Sequence, residues 1–256
     1  MYDKKGRNHT ESRIAGGVVS NLTADSFVRD LVGISRSEQV PKTSRYFAEK
    51  ECSEVLGVSI GEIFPIAKRF AMMPLAELER LLDDPHYEIR MGAVAIMDFK
   101  ARNRRLDEGT RQALFDLYLR KHDRINNWDL VDRAAPHVIG GWLADKSRDV
   151  LYELAASNDR WRRRTAVVAT WYFIRAGETE ETFKICALLV DEPDEYVRKA
   201  IGSWLRTAGK VNPEGLIRFL DRYAEQLPRI SMRMATEKLP KDQRDGYLAA
   251  NEARRG

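Results

Sequence analysis

A short pattern recurs along the chain and limits what it can fold into. It is a polar residue followed two positions later by glycine or alanine, as in "IRMG" at 89–92 and "VRKA" at 197–200. Successive copies lie 32 to 42 residues apart, which leaves room for two helices and two turns. This spacing predicts an array of helical repeats of the HEAT type. The polar positions of the five copies are Arg90, Asp132, Arg164, Arg198 and Arg233.

The rest of the sequence also favours helices. Glycine and proline are few within the apolar segments, and turn signals such as "DDPH", "DEPDE" and "GKVNPEG" separate these segments. No strand-like alternation is bounded by hairpin turns. The predicted fold class is therefore all-α, a HEAT-like helical repeat solenoid with a concave basic face. Residues 1–22 are predicted to form a polar N-terminal tail, and residues 23–250 a single repeat domain.

Composition argues against a membrane protein and against a metal site. No apolar run approaches the roughly 20 residues of a membrane-spanning helix, and the N-terminus lacks the apolar centre of a secretory signal. We therefore expect a cytoplasmic protein of the bacterial cytosol or nucleoid. Neither the cysteines nor the histidines have the spacing of zinc ligands, so no metal is expected. These residues are Cys52, Cys186, His9, His86, His122 and His137.

Charge points to a polyanionic partner. The net charge is only +4, but the pI is about 9.0 and the chain contains basic clusters such as "RWRRR" at 160–164. If the polar residue of each repeat recurs on the same side of its helix, the arginines form a column that can bind phosphates. The alternative is structural, because such arginines also tie adjacent repeats together. The candidate DNA-binding arginines are Arg90, Arg163, Arg164, Arg198 and Arg233.

The segment "NWDLVDRAAPHVIGGWL" at 126–142 contains the one acidic member of this column. Trp128 and Asp132 are four residues apart, so they share a face of a helix. An indole and a carboxylate side by side suit a cationic, electron-poor partner. In the alternative reading, Trp128 belongs to the core and Asp132 only stabilises the start of the helix.

At this point the sequence resembles the DNA alkylation repair glycosylases of the AlkD type. The resemblance runs from "DSFVRDLVGI" at 25–34 to "MATEKLP" at 234–240. It rests on the "WDxVD" core, followed in order by "WRRRTAVVATW" and "YVRKAIGSWLR". Each motif alone is weak, whereas their order is fairly specific.

The resemblance implies a monofunctional glycosylase that hydrolyses the N-glycosidic bond of N3- or N7-alkylated purines. Its partner would be double-stranded DNA that contains such lesions, and the protein would act as a monomer. The family leaves the damaged base in the DNA, so the usual extrusion of the base into a pocket would not apply and bulky adducts could be tolerated. No metal or organic cofactor takes part.

The resemblance also assigns roles to individual residues. Trp128 is similar to the family's catalytic tryptophan and Asp132 to its catalytic aspartate, while Arg164 is similar to an arginine that supports the DNA backbone beside the lesion. Tyr46, in "SRYF", resembles a tyrosine that flanks the lesion. One position departs from the family: "KAIGSWLR" has Ser203 where the family has tryptophan, and Trp204 follows one step later.

Two other functions remain open at this stage. A member of the same family that binds DNA structures without catalysis would also carry the arginine column, and the missing tryptophan at Ser203 is compatible with it. A HEAT-like scaffold that binds proteins is the other alternative, although its concave face need not be basic. Release of a free base from alkylated DNA would exclude both.

Overall fold

The structure is a computed structural model and describes residues 22–44 and 54–253. It contains two compact units, one that ends at Lys100 and one that begins at Ala101. The regular structure of the described residues is helical apart from an isolated bridge between Glu54 and His86, so the predicted all-α class is confirmed. Residues 1–21 of the predicted tail lie outside the described residues. The single domain over 23–250 stays a prediction.

The first unit is built on short amphipathic helices around a small apolar core. Phe27, which is fully buried, meets Phe70 edge to face with 5.3 Å between the ring centroids. Thr23 begins the first helix by accepting a hydrogen bond from the backbone N–H of Ser26 at 3.2 Å. The helices are α1 (Ala24–Val32), α2 (Val40–Ser44), α3 (Ile60–Arg69), α4 (Leu75–Leu82) and α5 (Tyr87–Ala101), the last of which ends at the start of the second unit.

A buried carboxylate fixes the turn that leads into α3. Glu88 is fully buried, and its two oxygens accept hydrogen bonds from the backbone N–H groups of Leu56, Gly57 and Val58 at 2.9 to 3.3 Å. Gly57 has φ +82°, and a Cβ there would lie 2.2 Å from the carbonyl oxygen of Arg36. The turn therefore depends on a glycine and on one acceptor side chain.

We expect Glu88→Gln to lower the free energy of unfolding by about 3 kcal/mol, because an amide has only one oxygen and its NH₂ would face backbone donors. Denaturant unfolding of the purified protein measures the loss. Glu38→Gln is the matched control, since Glu38 is exposed and its replacement should change stability by less than about 0.5 kcal/mol. Equal stability of the two variants would contradict this role of Glu88.

The second unit arranges its helices in two layers. The helices that carry the recurring pattern, α7, α9, α12 and α14, pack side by side in one layer, and α8, α11 and α13 pack against them. The full set is α6 (Glu108–Arg120), α7 (Trp128–Ala135), α8 (Asp149–Ala155), α9 (Arg160–Ala169), α10 (Trp171–Arg175), α11 (Glu180–Leu188), α12 (Glu195–Val211), α13 (Pro213–Tyr223), α14 (Arg229–Ala235) and α15 (Lys241–Ala253).

Small residues and aspartate caps explain this packing. Ala200 and Ala235 of the pattern are buried, and a Cβ on Gly202 would lie 2.7 Å from the Cβ of Met234, so α12 and α14 approach closely. Asp159 and Asp194 begin α9 and α12 by accepting hydrogen bonds from backbone N–H groups of their first turns. None of the helices in the described residues has the length and apolar composition needed to cross a lipid bilayer.

Candidate active site

Trp128 and Asp132 lie one turn apart on α7. This helix begins at Trp128, directly after the extended backbone of Asn127. Both side chains are half-buried, whereas Leu130 and Val131 between them are fully buried. Within the described part of the chain, the Trp128 indole has no stacking partner and no hydrogen bond. An uncommitted aromatic ring and a carboxylate therefore share one face of α7.

The Asp132 carboxylate is held by Arg164 of α9. The two side chains form a bidentate pair, with 2.9 Å from Arg164 Nε to Asp132 Oδ1 and 2.7 Å from Nη2 to Oδ2. Arg164 Nη1 also donates to the backbone carbonyl of Tyr196 in α12. The Asp132 side chain is 27% exposed and that of Arg164 only 7%. The carboxylate thus reaches solvent, whereas the guanidinium lies behind it.

Burial and the arginine act in opposite directions on the Asp132 carboxyl. Burial raises its pKa above the ordinary value, and the charge and hydrogen bonds of Arg164 lower it by a smaller amount, so the net shift is upward. The ionised form is poorly solvated as a result. A positive charge that approaches Asp132 would therefore be attracted more strongly than by a carboxylate in open water.

A buried polar network lies next to this pair. The hydroxyl groups of Tyr118 and Thr165 are 3.0 Å apart, and His122 Nε2 is 2.9 Å from Thr165 Oγ1. Burial, and next the charge of Arg162, lowers the pKa of His122 to about 4, so the imidazole is neutral at pH 7. Burial raises the pKa of Tyr118 above its usual range, and the charge of Asp132 adds to this rise. Sequence reasoning missed this network, because no local pattern marks residues 43 to 47 positions apart.

Three of the candidate arginines bind the loop before their own helix. Each donates to backbone carbonyl groups five or six residues earlier, which is the structural alternative to phosphate binding. Arg90 Nη1 bonds Asp84 and Pro85 at 2.8 Å, Arg163 Nη1 bonds Ser157 and Asn158 at 2.9 Å, and Arg198 Nε bonds Glu192 at 2.5 Å.

The five pattern residues do not share one side of their helices, contrary to the prediction. Counted from the first residue of the helix, Arg90 and Arg198 are fourth, whereas Asp132, Arg164 and Arg233 are fifth. One step along a helix rotates the side chain by about 100°. The sequence pattern aligned the copies by their small residues, and the helices begin at different distances from these. Arg233 is exposed, and it makes no ion pair in the described ranges.

Trp204 does not occupy the position of Ser203. Its indole Nε1 donates to the carbonyl of Val168 in α9 at 3.2 Å, so the ring is held against the neighbouring helix. Ser203 is half-buried, and its hydroxyl has no hydrogen-bond partner in the described part of the chain. The departure from the family pattern therefore leaves a small side chain at 203.

A proline changes the helix after Asp132. Pro136 lies four residues later and has no N–H to donate to the Asp132 carbonyl. The backbone widens into a π-helical turn over Pro136–Gly140, and the N–H of Gly141 bonds the carbonyl of Pro136 at 3.1 Å. A Cβ on Gly140 would lie 2.1 Å from the carbonyl oxygen of Ala169, so the turn packs directly on the end of α9.

Two remaining expectations concern Tyr46 and metals. Tyr46 lies outside the described residues, as do Cys52 and His9. Within residues 22–44 and 54–253, no group of three or more His, Cys, Asp or Glu side chains is arranged to hold a metal ion. The free thiol of Cys186 is fully buried.

Comparisons with known proteins agree with this fold. The family model for "DNA alkylation repair enzyme" matches residues 28–239. A solved structure described as a predicted DNA alkylation repair enzyme from Enterococcus faecalis is similar, with a TM-score of 0.62 at 20% identity, over 81% of this chain and 97% of that one. No curated protein gives a significant match. The family match covers most of the chain, so this protein belongs to the DNA alkylation repair enzyme family.

Proposed function

We propose that the protein hydrolyses the N-glycosidic bond of N3- or N7-alkylated purines in duplex DNA, as a monomer and without extruding the base. The observation that carries the proposal is the uncommitted indole of Trp128 on the same face of α7 as the partly exposed carboxylate of Asp132. Family membership supports a role in the repair of alkylated DNA.

The proposed chemistry needs no cofactor. Alkylation makes the purine cationic, so it departs with the electron pair of its bond to C1′ and becomes neutral. The sugar develops positive charge, which the Asp132 carboxylate stabilises. Water then forms the new bond to C1′ and gives up a proton to Asp132 or solvent. Trp128 would contact the cationic nucleotide through its ring face, at about 1 to 2 kcal/mol.

DNA would be held by phosphate contacts. Arg233 suits this role, because its side chain is exposed. Arg90, Arg163 and Arg198 contribute to the basic character of the protein, but their guanidinium groups already bond loop carbonyls. We therefore expect them to support the site through the fold more than through direct contact with phosphate.

Incubation of the protein with a duplex that bears one 7-methylguanine tests the proposal. We expect release of the free base and formation of an abasic site. The Asp132→Asn variant and the spontaneous rate without protein are the controls, because this lesion also depurinates on its own. A native protein that binds this duplex but releases no base above the spontaneous rate would contradict the proposal.

A second candidate is a DNA-binding protein without catalysis. The small side chain of Ser203 and the commitment of Trp204 to Val168 favour it, because they remove one aromatic wall from the proposed lesion site. Binding to branched or bulged duplexes, together with no base release from any alkylated duplex, would support this candidate.

If the protein is catalytic, Ser203 should favour bulky adducts. Ser203→Trp restores an aromatic wall, and a cation–π contact of about 1 to 2 kcal/mol corresponds to a change of about five- to thirtyfold. We expect the ratio of excision rates, 7-methylguanine over a bulky N3-adenine adduct, to rise by about this factor. Ser203→Ala is the control and should leave the ratio unchanged. A ratio that stays constant or falls in Ser203→Trp would contradict selection at this position.

A further inference from the structure

The contacts of Arg164 are all inside the protein. Its Nε and Nη2 bond the two oxygens of Asp132, and Nη1 bonds the Tyr196 carbonyl. The side chain is only 7% exposed. An arginine that grips a DNA phosphate turns its fork of N–H groups towards the ligand, whereas this fork is turned towards Asp132. The exposed Arg233 has the accessibility that a phosphate ligand needs.

The pair leaves Asp132 able to react. A carboxylate has about four sites that accept hydrogen bonds, and Arg164 takes one on each oxygen. The remaining sites are free for a water molecule and for the charge on the sugar. Bidentate contact also fixes the plane of the carboxylate, which a single bond or a lysine would not do.

The surroundings of Asp132 give it few other partners. From α9 it meets Arg164, and from α6 the hydroxyl of Tyr118 is electrostatically coupled to it. From α12 the contribution to the pair is the Tyr196 carbonyl, which binds Arg164. Arg133 and His137 follow Asp132 along its own segment. Burial favours the protonated acid, and Arg164 is the residue that opposes it.

We propose that Arg164 is a positioning residue, whose fork aims the Asp132 carboxylate and keeps it ionised, rather than a ligand of the DNA backbone. The inference rests on the proposed function, because Asp132 must act as an ionised group. It differs from the role that the family resemblance implies for Arg164. Thr165, the next residue of α9, is bonded to Tyr118 and His122 and helps to hold this part of α9 in place.

The test compares Arg164→Gln and Arg164→Lys with Arg233→Gln. Single-turnover excision of 7-methylguanine is measured from pH 5.5 to 9, after subtraction of the spontaneous rate, and binding of an unmodified duplex is measured against salt. For Arg164→Gln we expect the acid limb of the rate profile to move up by about one pH unit or more. The rate deficit should then be at least about tenfold larger at pH 6 than at pH 9. The salt slope should equal that of the native protein.

The two companion variants separate the possible roles. Arg164→Lys keeps the charge and loses the fork, so we expect an acid limb near the native one and a lower rate at every pH. This variant also serves if Arg164→Gln does not fold, and circular dichroism checks both. Arg233→Gln should reduce the salt slope by about one phosphate contact and leave the pH profile in place.

Several results would overturn the proposal. A lower salt slope in Arg164→Gln with an unmoved acid limb would make Arg164 a phosphate ligand. A loss that is equal at every pH, or a native rate in Arg164→Lys, would leave it a packing role. If the native protein excises nothing, the proposed function fails separately. The titration of the Asp132 carboxyl carbon by NMR then decides, and an unchanged pKa in Arg164→Gln or Arg164→Lys, respectively taken as loss and retention of charge, would contradict or support the pairing.

Discussion

Replacement of Asp132 by asparagine should slow excision of 7-methylguanine by about two to three orders of magnitude, the scale lost with one preorganised electrostatic group. Asparagine keeps the size of the side chain but removes the charge that the developing cation needs. DNA affinity should hold or rise, because a negative charge near the phosphates disappears. Single-turnover rates at saturating protein separate this loss from any change in binding.

The native rate should also depend on the protonation of Asp132. Burial raises the pKa of this carboxyl, so the active ionised form is lost as pH falls through a value higher than that of an exposed aspartate. Asp132→Asn has no carboxyl at this position and should lose this acid limb. A single-turnover rate for Asp132→Asn equal to that of the native protein would remove Asp132 from the mechanism.

Replacement of Arg163 by glutamine should lower the free energy of unfolding by about 3 kcal/mol or more. Arg163 forms a bidentate pair with Glu192, with 2.7 Å from Nε to Oε2 and 2.8 Å from Nη2 to Oε1. The Glu192 side chain is 1% exposed and that of Arg163 14%, so the variant would leave a buried carboxylate without its partner. The corresponding fall in melting temperature is about 6 to 12 °C.

Two controls separate this structural role from DNA binding. The double variant Arg163→Gln/Glu192→Gln removes both charges and should recover part of the lost stability. The salt slope of DNA binding in Arg163→Gln should stay near the native slope, measured below the melting temperature of the variant. A stable Arg163→Gln protein with a reduced salt slope would instead make Arg163 a phosphate ligand.

The sequence alone determined the features that depend on local periodicity. Two residues four apart on a helix share a face whatever the rest of the chain does, so Trp128 and Asp132 could be paired without a structure. Repeated turn signals and helical spacing likewise predicted the all-α class. The helices that carry the recurring pattern in the second unit do pack side by side, because their small residues permit close approach.

Only the tertiary structure decided which polar groups bind one another. Arg164 and Asp132 are 32 residues apart, and Arg163 and Glu192 are 29 apart. The neighbouring Arg163 and Arg164 point in directions about 100° apart and bind different carboxylates. A repeating sequence pattern does not encode this difference, since it depends on where each helix begins and on how adjacent helices pack. The same reason explains why five residues that match in the sequence divide into arginines that tie loops, an exposed arginine, and the arginine–aspartate pair of the candidate active site.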